Sequence, residues 1–115
     1  MSPRSSATDG RLPSAQAVRL AELLDYVPGA VVSRTLAQKP AGTITLFAFD
    51  AGQGLSEHTA PFDALVQVLD GEVTIRIAGK PVKAEAGESV LMPADVPHTL
   101  QSEQKFKMLL TMIRG

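Results

Sequence analysis

Cysteine is absent from the 115 residues, which excludes disulfides and thiol chemistry and leaves nothing that demands an oxidising compartment. A surplus of either charge is missing too. Eleven basic residues stand against 12 acidic ones, a net charge of −1 with no basic run. Such a balance gives no electrostatic footprint for DNA or RNA, so nucleic acid is not an expected partner. No stretch approaches the roughly 18 apolar residues of a membrane helix. The opening MSPRSSATDG also lacks the apolar core of about 7–15 residues that a secretory signal needs. The expectation is a cytoplasmic protein with no membrane partner. Histidine is nearly absent, with two in the chain, so chemistry is to be sought around His58 and His98.

What is present is the composition of one globular domain, with 44% hydrophobic and 20% charged residues. Residues 1–14 are rich in Ser, Pro, Ala and Gly and lack both hydrophobic periodicities, which predicts a flexible tail before a single β-barrel domain at 15–115. Ser14 is placed to cap a short helical segment whose apolar side is Ala17, Leu20, Ala21 and Leu24, and Pro28-Gly29 ends it. From residue 30 onward the pattern changes. Runs rich in strand-forming residues at 30–37, 43–49, 55–60, 64–69, 72–78, 81–84, 89–92, 98–102 and 106–113 alternate with turn signals. Asp70-Gly71 suits a tight type I′ hairpin, in which both central residues have positive φ. About nine short strands without a long helix imply an all-β sandwich or barrel.

Strand parity assigns faces. Leu100 and Ser102 go with His98, and Ser56 and Ala60 with His58. In 106–113 one face is wholly apolar (Phe106, Met108, Leu110, Met112), while Leu109 and Ile113 occupy the other. The strand at 64–69 is mostly apolar on both faces as well. One face can fill the barrel, and the other needs a cover, either the N-terminal segment or a second subunit.

Gly52, His58 and Gly71 in the first half, and Gly87, Pro93 and His98 in the second, fall at the spacing of two motifs. In them the chain resembles the cupin family, whose motifs read G-x5-H-x-H-x3-E-x6-G and G-x5-P-x-G-x2-H-x3-N. The resemblance covers 52–102 and implies a jelly-roll barrel, that is, a double-stranded β-helix. It also implies a divalent metal (Mn, Fe, Ni or Zn) held by three histidines and a glutamate, and frequent homodimers. Here His58 and His98 keep two of the four ligand positions. Ala60 and Ala64 occupy the other two, Asp95 replaces the second motif's second glycine, and Ser102 replaces its asparagine. Asp63 and Glu57 flank the vacancies, but strand parity turns them away unless the corner at Pro61 is bent.

The expectation is a pocket lined by His58, His98, Ala60, Ala64, Leu100, Ser102 and Phe62 that binds a small organic molecule. Phe62, beside Pro61, is the aromatic that could cover its opening, whereas the other phenylalanines and the methionines at 92, 108 and 112 read as core. Two alternatives stand beside it. One is a metal-dependent enzyme of the oxygenase or isomerase type, with His58 and His98 as ligands. The other is a homodimeric interaction module in which the pocket is incidental.

Overall fold

The structure, a computed structural model, describes residues 11–114. Nine strands follow one another: β1 (Val31–Lys39), β2 (Gly42–Phe49), β3 (Gly54–His58), β4 (Asp63–Asp70), β5 (Glu72–Ile77), β6 (Lys80–Glu85), β7 (Ser89–Met92), β8 (His98–Gln101) and β9 (Phe106–Ile113). They form two antiparallel sheets in the orders β1-β2-β9-β4-β7 and β3-β8-β5-β6. The chain passes between the sheets repeatedly, so each sheet is built from strands far apart in sequence, as a jelly roll requires.

The inward faces of both sheets supply the main core. Phe49 and Phe106 are fully buried and their rings stack 4.3 Å apart. Around them pack Val66, Val68, Val73, Ile75, Leu100 and Met108. The alternating face Phe106, Met108, Leu110 and Met112 of β9 joins this cluster, as its period of two dictates.

The outer face of the first sheet has its own cover. Leu12, Leu20, Leu23 and Leu24 pack on a second cluster of Leu36, Leu46 and Leu109. Two hydrogen bonds from side-chain donors fasten this segment: Lys107 Nζ donates to the Ala21 carbonyl, and the Tyr26 hydroxyl donates to Asp70 Oδ2. The Tyr26 ring also lies 5.1 and 4.9 Å from the ammonium groups of Lys105 and Lys107, within cation–π range. The expected helix is reduced to a single 3-10 turn, Leu20–Glu22. Ala15 has a φ of 59°, which breaks the helical path directly after Ser14, and so short a helix is marginal in water by itself. The leucines are buried by the sheet instead. The tail expected at 1–14 falls largely outside the described residues, and within them the Leu12 N–H donates to the Leu36 carbonyl at 3.0 Å.

Asp70-Gly71 is not a hairpin. β4 pairs with β7 and β9, whereas β5 pairs with β6 and β8, so the chain changes sheets here. Gly71 alone has positive φ, at 73°, and the approach is close: a Cβ at Gly71 would collide with the Lys105 carbonyl oxygen. The two-residue hairpin with both φ values positive lies at Ala78 (53°) and Gly79 (81°), between the paired Ile77 and Lys80.

This contrast generates a prediction. Gly79→Ala meets open space and should cost about 1 kcal/mol through backbone strain alone. Gly71→Ala adds a backbone collision and should cost roughly 2–4 kcal/mol. Urea unfolding of both variants checks the order, and equal losses would contradict the crowded corner.

Candidate functional site

A bulge brings His58 to His98. Leu55 pairs with Leu100 and His58 with His98, three steps along β3 against two along β8. In a regular strand Leu55 and His58 would point to opposite faces. The extra residue reverses the alternation and turns His58 to the side of Leu55. The face assignment from parity is therefore corrected: Leu55 is the face-mate of His58, and Ser56 and Glu57 are exposed. His98 opens β8 opposite Ile77 of β5.

The loop before His98 is braced from the first motif. The Asp95 N–H donates to the Ala60 carbonyl at 2.8 Å, and the Ala94 N–H donates to Asp63 Oδ1 at 2.9 Å. Asp95 has a φ of 61°. It thus supplies the left-handed backbone at the position where the family motif has glycine, a conformation that Asp tolerates better than most residues. The Ala78 N–H donates to the Pro97 carbonyl at 2.9 Å and ties the loop to the β5–β6 hairpin.

The two imidazoles meet edge to face, with centroids 4.3 Å apart and planes at 73°. Their Nε2 atoms are 3.1 Å apart. Each Nδ1 faces the carbonyl two residues earlier, His58 to Ser56 at 2.8 Å and His98 to Val96 at 3.2 Å. A carbonyl only accepts, so each Nδ1 keeps its proton and each neutral ring turns an Nε2 lone pair toward the other. Two lone pairs at this separation repel unless a proton or another electrophile lies between them. Burial differs sharply across the pair: His98 is 4% exposed, whereas His58 is open to solvent. Burial pushes the His98 pKa below its ordinary 6.5, and the neighbouring His58 adds to the shift against the opposing Val96 carbonyl.

The four-donor set implied by the resemblance is not assembled. Ala60 and Ala64 offer methyl groups, the Asp63 oxygen is engaged by the Ala94 N–H, and Glu57 is exposed in the bulge. Among the described residues no group of three or more His, Cys, Asp or Glu is arranged to hold a metal ion. A catalytic metal ordinarily takes three protein ligands. The residues present therefore do not fit a resident catalytic metal.

The other expected site residues scatter. Leu100 and Ala64 are buried in the core cluster, Leu100 on the same strand face as His98. Ala60 is half-buried at the corner after β3. Phe62 lies in a surface hollow with Pro61, Ala94 and Ile113, its ring 5.0 Å from the Arg114 guanidinium. Ser102 follows β8, and its hydroxyl accepts from the Gln104 N–H at 3.1 Å. It lines hollows with Thr74 and Glu103 and not the histidine pair. The carbonyls of Ser56 and Val96, which fix both rings, carry no signal in the sequence because any residue has one.

Because the folded chain binds a proton on His98 less readily than the unfolded chain does, the penalty is absent well above pH 6.5. It grows as the pH falls from there through the lowered folded value. Unfolding free energy measured from pH 8 to pH 5 should fall on acidification, and the fall should be smaller in His98→Gln. Identical pH dependence in the two proteins would contradict the assignment.

Residues 45–114 match the family described as "Cupin domain". Among solved structures, the conserved protein of unknown function SPY1581 from Streptococcus pyogenes is 31% identical with a TM-score of 0.86, over 91% of this chain and 92% of that one. A cupin superfamily protein from Desulfitobacterium hafniense (DSY2733) is 28% identical with a TM-score of 0.85, over 91% and 96%. The cupin 2 conserved barrel domain protein from Leptotrichia buccalis is 42% identical with a TM-score of 0.79, over 82% of this chain but 46% of its own. No curated protein matches. Family profile, fold and identity agree: the chain belongs to the cupin domain family.

Proposed function

We propose that this cupin binds a small organic molecule where the exposed ring of His58 meets the buried ring of His98. The observation that supports the reading is the 3.1 Å approach of the two Nε2 atoms with both Nδ1 atoms tied to carbonyls. The tautomers are thereby set, and His58 is the partner that solvent and ligand can reach. A hydroxyl or carboxyl group on the ligand is the matching chemistry, since it can donate to an Nε2 lone pair or accept from a protonated one. Half-buried Leu55 and Ile77, on the strands that carry and oppose the histidines, offer apolar surface to the remainder of such a molecule.

Metal-dependent chemistry is the second reading, and one feature favours it. Imidazoles whose Nδ1–H groups are held by backbone carbonyls are oriented as metal-binding histidines usually are. Against it stand the two alanines at the remaining ligand positions.

The readings separate in two measurements. Benzoate, phenol and short aliphatic acids, titrated into protein observed through its histidine ring signals, should move the signals of both rings for at least one compound. His58→Ala should abolish the binding, and rings unmoved by every compound would sink the first reading. Incubation of untagged protein with micromolar Mn, Fe, Ni or Zn, followed by desalting, should leave metal well below one equivalent. Stoichiometric metal that is lost in His58→Ala would replace the first reading with a metal-dependent oxygenase or isomerase.

A further inference from the structure

We propose that the outer face of the second sheet carries a separate binding site for a small hydroxylated acid, centred on Arg76. Two hollows, of about 350 and 360 Å³, adjoin on this face and share Gly52, Arg76 and Gln101. Each falls within the roughly 300–1,000 Å³ of small-ligand sites.

Local backbone geometry explains the concavity. Alternation along the strands sends Leu100 and Ile75 into the core and leaves Thr99, Gln101, Thr74 and Arg76 outside. The wall on the β3 side is low at two glycines, Gly52 and Gly54. Gly54 lies so close to β8 that a Cβ would collide with the Leu100 carbonyl oxygen. Gly52, with a φ of 80°, donates its N–H to the Ser102 carbonyl at 3.0 Å. Neither glycine puts a side chain into the hollow.

Charge then orients an occupant. Arg76 is exposed in mid-strand, directly across from Thr99. Among the described residues its guanidinium has no ion-pair or hydrogen-bond partner, whereas the neighbouring Lys83 pairs with Glu72 at 3.9 Å. The hollow toward β3 combines Arg76 with the hydroxyls of Ser56 and Thr99 and contains no carboxylate. Its neighbour ends at Glu103 and Ser102. An anionic group belongs beside Arg76, where the fork of N–H donors suits a carboxylate or phosphate. The donor-bearing end of the same molecule, a run of hydroxyls, belongs beside Glu103. Neither His58 nor His98 lines either hollow, so this site is independent of the histidine pair.

The test uses D-gluconate, its neutral counterpart sorbitol, and inorganic phosphate, titrated into uniformly ¹⁵N-labelled full chain. Gluconate should shift the Thr99 and Gln101 amides and leave the histidine ring signals in place. Loss of the charged hydrogen bonds should make sorbitol, and gluconate with Arg76→Gln, weaker by about tenfold or more. Glu103→Gln should weaken gluconate but not phosphate. Four results would each overturn the proposal: equal binding of gluconate and sorbitol, binding undiminished by Arg76→Gln, phosphate bound as tightly as gluconate, or no amide shift at about 10 mM ligand. Ring shifts at His58 and His98 without change at Thr99 would assign gluconate to the histidine pair and overturn it too.

Discussion

The central strands β4 and β9 of the first sheet carry apolar side chains on both sides, and neither side can be left wholly to water. Strands β4 and β9 send valines, methionines and Phe106 inward while Leu69 and Leu109 point outward. Burial of apolar area is the main favourable term in folding, so such a sheet must be covered twice. The second sheet covers one side and thereby creates the barrel. The segment between Leu12 and Tyr26 covers much of the other, fastened by Lys107 and Tyr26. The site depends on this arrangement, because β3 and β8, which carry the two histidines, pair within the second sheet that closes over this core.

Within that frame the histidine pair comes from small backbone irregularities. One extra residue in β3 turns His58 toward His98, and one left-handed residue, Asp95, shapes the loop that delivers His98. The result departs from a family metal centre in composition but keeps its convergence. Two imidazoles whose orientations are fixed by carbonyls present their Nε2 atoms to each other. The buried position of His98 favours the neutral form of that ring over the charged one.

The strands were legible because period-two runs and turn residues recur along most of the chain, and their observed limits differ from the expected ones by no more than two residues. The joint spacing of glycine, proline and histidine made the barrel legible as well. Features set by contact with distant parts of the chain were not. Asp70-Gly71 has the letters of a hairpin, but the pairing choices of β4 and β5 make it a crossing between sheets. The bulge in β3 leaves no mark in LSEH and reverses the parity between Leu55 and His58. Asp95 departs from the motif in residue type, yet it preserves the dihedral angle for which glycine is ordinarily chosen. The helix expected after Ser14 followed local spacing, and tertiary burial of the same leucines prevailed over it.

The segment that covers the first sheet has a consequence for the order of assembly. Its leucines precede every strand, whereas Leu109, against which they pack, lies in the last one. During synthesis Leu36 and Leu46 of the first two strands emerge soon after these side chains, but the contact with Leu109 must await the last strand. Completion of this docking is therefore a late event by topology. The half-formed protein accordingly displays two greasy surfaces that the finished one hides.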